Sequence, residues 1–137
     1  MKVVINNPDN LKEEDIDHKI LRARGVIINS KEEVILGYLN HTYQFPGGHV
    51  EEGETIEEGL VREIMEETGI ELKDNDYKLI YQIRNYRKNH KNSGFNRYVE
   101  FNYFLIETDE PFNLEKRKLS DYEIECQYSI MYEYLNK

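Results

Sequence analysis

The sequence predicts a single α/β domain, and three observations support that prediction. The chain has 137 residues, of which 39% are hydrophobic, enough for one buried core and too few for two comfortable ones. Several short runs are rich in Val, Ile and aromatic residues, as strands are. One longer segment has the periodicity and the capping residues of an amphipathic helix. No repeat or low-complexity linker divides residues 1–137, so we expect one domain.

The predicted strands flank the helix on both sides. The runs "RARGVIINS" (22–30) and "EEVILGYLN" (32–40) are separated by a turn-like segment, and we expect them to form two antiparallel strands. The runs "YKLIYQIRNY" (77–86) and "RYVEFNYFLIE" (97–107) are typical of long strands, with a polar surface loop between them. Apolar residues alternate from Tyr122 to Tyr134, which favours a further strand over at least part of that segment.

The helix is predicted to run roughly from Ile56 to Thr68. Thr55 and Glu58 have the spacing of an N-terminal capping box, and Gly69 is placed to end the helix in a left-handed conformation. One half of the helix is mostly apolar, and we expect it to pack on the sheet. Its members are Ile56, Leu60, Val61, Ile64, Met65 and Thr68.

The other half of the helix carries Glu63, Glu66 and Glu67 within about one turn. Like charges at this spacing destabilise a helix by roughly a few tenths of a kcal/mol, and Gly59 costs about 1 kcal/mol relative to alanine. A divalent cation would neutralise the carboxylates, and a bulky ligand approaching the backbone would explain Gly59. Oxygen ligands favour Mg²⁺, with Mn²⁺ as a plausible substitute. The alternative is a solvated acidic face in a Glu-rich chain.

The acidic face belongs to a longer motif. Residues 48–70 read "GHVEEGETIEEGLVREIMEETGI", and this segment resembles the signature of the Nudix hydrolase family at every defined position. The resemblance implies a Nudix-like α/β/α sandwich with a mixed β-sheet, in which the signature forms a loop-helix-loop. It also implies an enzyme that hydrolyses a nucleoside diphosphate linked to another group.

The resemblance also implies a role for each matching position. The metal-binding and catalytic carboxylates would be Glu63, Glu66 and Glu67, with the Gly47 carbonyl as a further metal ligand. The structural positions of the motif would be Gly48, Glu54 and Gly69. Arg62, which belongs to the catalytic set, would form a mostly structural ion pair with Glu54 that holds the loop against the helix. The expected cofactor is Mg²⁺.

The general base is left open by the sequence. Glu63 is one candidate, if the metal does not occupy it fully. The resemblance implies another, a glutamate from the C-terminal part of the chain, and the choices there are Glu123 and Glu125. Each of these two is otherwise an ordinary solvent-exposed residue.

Substrate contacts are expected around the loop between the two long strands. Aromatic and basic side chains are mixed there, which suits the stacking of a base and the steering of phosphates. The candidates are Arg84, Tyr86, Arg87, Phe95 and Tyr98. The alternative is that the aromatic residues are core and the basic residues are solvated. His49, in the signature loop, is either a phosphate contact or a turn residue without a role.

The net charge and the cysteine content limit which partners and compartments are expected for the chain. The net charge of −9 argues against passive binding to nucleic acid or to an anionic membrane, so an anionic substrate would need a metal ion or a local basic patch. The single cysteine, Cys126, cannot form an internal disulfide and falls in the apolar alternation as a packing residue. The N-terminal apolar run is too short for a signal peptide, so a cytoplasmic protein is expected. An exposed tyrosine-rich last strand would favour a homodimer.

The sequence therefore predicts a Mg²⁺-dependent Nudix pyrophosphohydrolase. Its substrate would be a small nucleotide such as a nucleoside triphosphate, ADP-ribose or a nucleotide sugar. The alternative from another class is a catalytically silent Nudix-like domain that binds a nucleotide or a protein partner. The presence of all three carboxylates favours the enzyme.

Overall fold

The computed structural model describes residues 1–125 and 127–135, apart from the side chain of Glu125. The strands of this part are β1 (Lys2–Asn6), β2 (His18–Ile28), β3 (Glu33–Leu39), β4 (Thr42–Gln44), β5 (Gly47–His49), β6 (Tyr77–Arg87), β7 (Arg97–Glu107) and β8 (Ser129–Tyr134). The α-helices are α1 (Ile56–Thr68) and α2 (Asp121–Glu125), and short 3-10 turns lie at Glu13–Asp15, His90–Asn92 and Leu114–Lys116. The prediction for Cys126 lies outside the described residues. No helix in the described part is long and apolar enough to cross a membrane.

The strands form one mixed sheet in the order β1-β6-β7-β2-β3-β4, with β5 paired to β2 and β8 paired to β3. β2 and β7 run parallel over their whole length, while β6 and β7 are antiparallel. β2 and β3 are antiparallel, as predicted. The large mixed sheet with few helices confirms the predicted α/β class.

The core lies between α1 and one face of the sheet. Leu60 and Ile64, from the predicted apolar half of α1, are fully buried. They pack in one cluster with Ile27 of β2 and with Phe104 and Ile106 of β7. Burial of each such side chain contributes about 1.5–3 kcal/mol. The packing of α1 therefore fixes which of its sides faces away from the sheet.

The bounds predicted for α1 are confirmed. The Thr55 hydroxyl accepts a hydrogen bond from the Glu58 backbone N–H at 3.1 Å, and the Glu58 carboxylate accepts one from the Thr55 N–H at 2.9 Å. Gly69 ends the helix with φ of 76°, a left-handed conformation that favours glycine. These caps hold the acidic positions in register along the helix.

A strand was predicted over at least part of the segment from Tyr122 to Tyr134, and β8 confirms it for Ser129–Tyr134. Tyr122 and Ile124 lie in α2 and are exposed, 57% and 62% respectively. A second capping box explains the helix, because Ser120 and Glu123 exchange backbone-to-side-chain hydrogen bonds of 2.9 and 3.2 Å. The homodimer suggested for this segment stays a prediction.

Candidate functional site

The signature loop is brought against α1 by strand pairing. β5 pairs with β2, with Gly47 opposite Arg24 and His49 opposite Arg22. The Gly47 backbone N–H donates to Glu67 Oε2 at 2.9 Å. A Cβ atom at Gly48 would lie 2.8 Å from the carboxyl carbon of Glu63, so only glycine fits there without moving that side chain. The loop backbone therefore borders the acidic face directly.

The three predicted carboxylates lie at different depths. The side chains of Glu63 and Glu66 are 16% and 36% exposed, whereas Glu67 is 1% exposed. Burial raises the pKa of Glu63, and it raises the pKa of Glu67 to about 8. Among the described residues, Glu67 Oε1 has no hydrogen-bond partner of standard geometry although it is buried. An unpaired buried carboxylate oxygen is costly unless a cation or donor reaches it.

Arg62 holds the acidic face together. Its Nε and Nη2 donate to the two oxygens of Glu54 at 2.8 and 3.0 Å, which is the expected ion pair. Its Nη1 also donates to Glu63 Oε1 at 3.0 Å and to Glu66 Oε2 at 3.2 Å. The hydrogen bond from Arg62 lowers the pKa of Glu54. One guanidinium therefore offsets much of the like-charge repulsion on the helix.

The acidic face suits a divalent cation by its chemistry. Within the described residues, no group of three or more His, Cys, Asp or Glu side chains is already arranged around a metal position. Arg62 accounts for this, since it engages Glu63 and Glu66. The donors are all carboxylate oxygens, and the buried Glu67 Oε1 lacks a partner, so the set fits a hard cation such as Mg²⁺. Gly47 lies beside Glu67, and the role of its carbonyl as a further ligand stays a prediction.

Gly59 has a different role from the predicted one. A Cβ atom at this position would lie 3.0 Å from Val50 Cγ2, and Gly59 is buried. The glycine therefore makes room for the signature loop to pack on α1. The expectation that a ligand approaches the backbone at Gly59 is wrong.

The C-terminal segment brings Glu123 to the acidic face. The negative charge of Glu123 contributes to the raised pKa of both Glu63 and Glu67, which reflects its closeness to them. Its Oε1 accepts the Ser120 backbone N–H that starts α2. The side chain of Glu125, the second candidate, lies outside the described part of the chain.

Tyr128 also borders the site, and apolar alternation was its only signal in the sequence analysis. The residue is 4% exposed and stands at the end of the α2 segment, where its backbone N–H donates to the Glu123 carbonyl at 2.8 Å. Its hydroxyl lies close enough to Glu67 to lower the pKa of that carboxyl, against the larger effect of burial. In the described residues, the hydroxyl has no other hydrogen-bond partner. Tyr128 and Glu67 are therefore neighbours in the buried part of the site.

A short basic segment flanks Glu66 on its outer side. Lys116, Arg117 and Lys118 line a cleft of about 500 Å³ together with Arg62 and Glu66. The Lys118 backbone N–H donates to the Glu66 carbonyl at 2.7 Å. Arg117 Nε and Nη1 are buried and have no hydrogen-bond partner among the described residues. Three consecutive cations in an acidic chain were the available signal, which the sequence analysis missed.

The five predicted substrate residues lie at one end of the β6–β7 hairpin, divided between the two faces of the sheet and the loop. Tyr98 is 8% exposed and donates to Glu100 at 2.5 Å, and its ring packs on Tyr86. Strand register puts these two and Arg84 on the face of the sheet that packs against α1. Arg87 is exposed and pairs with Arg97, which places it on the opposite face at the same end of the hairpin, and Phe95 is exposed in the loop between the strands.

The opposite face of the sheet carries basic and aromatic residues that the sequence analysis did not select. Arg22 lies over the Phe101 ring, 5.9 Å from its centroid, and Arg24 donates to the Phe45 carbonyl at 2.8 Å. Tyr103 stacks on Phe101 and meets Phe45 edge to face. Alternation of Arg with small residues in "RARG" was the only sequence signal.

His49 joins this basic face through its pairing with Arg22. Burial and the nearby positive charge of Arg22 lower the pKa of His49 below its usual value. The imidazole is therefore neutral at pH 7 and offers a hydrogen-bonding group at the end of the signature loop.

The chain belongs to the NUDIX domain family, because residues 19–129 match the model of that family. One similar protein is an RNA pyrophosphohydrolase from Tolumonas auensis, 40% identical over 65 residues, which are 46% of this chain and 36% of that protein. Another is an 8-oxo-dGTP diphosphatase from Escherichia coli, 38% identical over 58 residues, 38% of this chain and 45% of that protein. The matches thus span less than half the length of these relatives.

Solved structures support the fold independently. A chain from a study of MutT from Aliivibrio salmonicida and Vibrio cholerae superposes with a TM-score of 0.58 and 22% identity, covering 84% of this chain and 77% of that one. A MutT/nudix family protein from Enterococcus faecalis superposes with a TM-score of 0.61 and 19% identity, covering 90% of this chain and 46% of that one. At these identities the likeness concerns the fold alone.

Proposed function

We propose that residues 1–137 form one catalytic domain that hydrolyses a phosphoanhydride bond in a nucleotide, with Mg²⁺ as its cofactor. The observation that carries this proposal is the assembly of Glu63 and Glu67 against the backbone of the signature loop, with Arg62 joining Glu63 to Glu66. The names of the similar proteins, an RNA pyrophosphohydrolase and an 8-oxo-dGTP diphosphatase, support the reaction class.

The three carboxylates and the Gly47 carbonyl would hold the metal. When bound, Mg²⁺ lowers the pKa of water and neutralises phosphate oxygens. Arg62 keeps Glu63 and Glu66 in place through its hydrogen bonds and is itself fixed by Glu54. Tyr128 and the Gly47 N–H keep the buried Glu67 oriented.

Glu123 is the general base in this proposal, and Glu63 is the second candidate. Glu123 lies near Glu63 and Glu67, while only its Oε1 is engaged in capping α2 among the hydrogen bonds of the described residues. Its other oxygen can accept a proton from water. Glu63 is less suited, because Arg62 already donates to its carboxylate.

The substrate in this proposal is a nucleoside triphosphate or another nucleoside diphosphate linked to a further group. The basic segment at Lys116, Arg117 and Lys118 lies beside Glu66 and offers unpaired donors to phosphates. The face with Arg24 and Tyr103 lies beside the loop and offers a surface for a base.

The test is the release of phosphate and pyrophosphate from a panel of nucleotides, with and without Mg²⁺. We expect metal-dependent release that Glu66→Gln and Glu67→Gln each reduce at least about a hundred-fold, since they remove charge from the metal-binding set. Glu57→Gln is the matched control, because Glu57 is exposed on the first turn of the same helix. Tight nucleotide binding without hydrolysis on any substrate would instead favour the silent binding domain.

A further inference from the structure

Charge is strongly segregated in this chain. Residues 84–97 contain five cations, Arg84, Arg87, Lys88, Lys91 and Arg97, and no acidic residue. The net charge of the whole chain is −9, so the remaining residues carry −9 − 5 = −14. We call residues 84–97 the hairpin tip, since they join the ends of β6 and β7. Its positive charge stands out against an acidic molecule.

Two cations of the tip, Arg87 and Arg97, share a sheet face with the cations near the signature loop, whereas Arg84 lies on the opposite face. Arg87, Arg97 and His18 are direct partners across β6, β7 and β2, so their side chains leave the same face. Alternation along β2 puts Arg22 and Arg24 on that face too. The tip is therefore continuous with the face that borders the signature loop.

The separation of these groups exceeds the reach of one side chain. His18 and Arg22 are four residues apart on β2, which corresponds to about 13 Å. Arg22 pairs with His49 of the signature loop. A single nucleotide in the acidic site is therefore too short to reach the tip. A ligand reaches the tip only if it continues along β2 beyond its first nucleotide.

The tip also offers an aromatic surface. Phe95 is 52% exposed, and its ring meets His18 edge to face with centroids 5.1 Å apart. These residues border a cleft of about 510 Å³ together with Arg97, His90 and one carboxylate, Asp17, which accepts the Asn96 backbone N–H at 2.7 Å. Arg97 Nη1 donates to His90 Nε2 at 3.0 Å, which turns the guanidinium towards the cleft wall. An exposed aromatic ring beside cations is suited to a stacked base and its phosphate.

Among the described residues, the cations of this face form no salt bridge. None of the salt bridges within residues 1–125 and 127–135 includes Arg22, Arg24 or a cation of the tip. Arg24 and Arg97 act on Arg22 as like charges. Neighbouring unpaired cations create a local positive potential that attracts a polyanion.

We propose that the hairpin tip binds the chain of a single-stranded polynucleotide whose 5′-phosphates enter the acidic site. The phosphates of the polynucleotide follow the cations along β2 and β7, and one base stacks on Phe95. This inference rests on the proposed function for the end of the ligand that is hydrolysed. The net charge of the chain is negative, which argues against binding of a polyanion. The hairpin tip is locally positive, so the polynucleotide binds there.

The experiment uses a short single-stranded RNA with a 5′-triphosphate and the nucleoside triphosphate of its first base. Lys88→Gln/Lys91→Gln removes two exposed cations of the tip. We expect fluorescence anisotropy to show weaker RNA binding. The slope of the logarithm of the binding constant against the logarithm of the salt concentration should become shallower by about 1.4, because each of the two lost phosphate contacts contributes roughly 0.7. Phe95→Ala is expected to weaken RNA binding about ten-fold through lost stacking. Hydrolysis of the nucleoside triphosphate by Lys88→Gln/Lys91→Gln should stay within about two-fold of the native rate.

Lys31→Gln/Lys73→Gln is the matched control, because it removes the same charge from exposed positions away from the tip. Equal RNA affinity in the tip and control variants would overturn the proposal. The proposal would also be overturned if polyglutamate displaced the RNA and Phe95→Ala had no effect. These two results together would indicate that the tip binds an acidic peptide. RNA binding that needs the tip, in a protein that hydrolyses no nucleotide, would contradict the proposed function and leave the tip as a binding surface.

Discussion

The acidic face of α1 and the basic hairpin tip are two clusters of like charge that the protein treats differently. Glu63, Glu66 and Glu67 are partly or fully buried, and Arg62 neutralises them from within the same motif. The cations of the tip are mostly exposed and have no salt bridge within the described residues. The charge of the first cluster is therefore compensated within the fold, while compensation of the charge of the second cluster requires an anion from outside the protein.

The largest expected effect comes from making the same substitution in each cluster. Arg62→Ala removes charge-assisted hydrogen bonds to three glutamates, so we expect a loss of about 2 kcal/mol in the free energy of unfolding. Arg97→Ala removes one hydrogen bond to His90, and we expect a loss of about 0.5 kcal/mol. Urea unfolding in EDTA measures both. Similar losses for the two variants would contradict the contrast between the clusters.

A smaller effect is expected from pH, through Glu67. Its pKa is about 8 in the folded protein against an ordinary 4.5, so the folded state holds a proton that the unfolded state has released. The contribution of Glu67 to stability is fully present below pH 4.5 and is lost as pH rises through 8. The slope is at most about 1.4 kcal/mol per pH unit.

Urea unfolding of the metal-free protein between pH 5 and pH 8 tests this expectation, with Glu67→Gln as the comparison. The variant has no titrating group at this position, so the decline attributed to Glu67 should disappear. Saturating Mg²⁺ should reduce the decline in the native protein, because it binds the ionised carboxylate. A pH profile that is the same in both proteins would show that Glu67 is ionised throughout.

The smallest expected effect concerns the positioning of Glu67. Tyr128→Phe keeps the buried ring and removes the hydroxyl beside the carboxyl, so we expect kcat to fall about five-fold with KM nearly unchanged. The concentration of Mg²⁺ needed for half-maximal activity should rise as well. Tyr132→Phe, on β8, is the control, since Tyr132 stacks on Phe112 outside the acidic face. Equal kinetics in the two variants would exclude a positioning role for Tyr128.

The signature region was predicted closely because its signals are local. The capping box at Thr55, the cap at Gly69 and the pair of Arg62 with Glu54 all join residues within eight positions of one another. Such contacts are decided by helical and turn geometry, which sequence spacing reveals. The role of Gly59 was predicted wrongly, because Val50 contacts Gly59 only through the packing of the signature loop on α1.

The rest of the site depends on contacts between distant positions. Arg22 and Arg97 share a sheet face because β2 and β7 pair in parallel, with the paired residues His18 and Arg97 lying 79 positions apart in the sequence. Nothing in either segment alone specifies that register. The short helix α2 had a local signal, because Ser120 and Glu123 have capping-box spacing, which outweighs apolar alternation over five residues.

Calorimetric titration with Mg²⁺ tests the central claim most directly, because it measures the acidic face without assuming a substrate. We expect the native protein and Glu57→Gln to bind Mg²⁺ equally, and Glu67→Gln to bind at least about ten-fold more weakly. Equal Mg²⁺ affinity in Glu67→Gln and the native protein would contradict the account of α1 as a metal-binding surface.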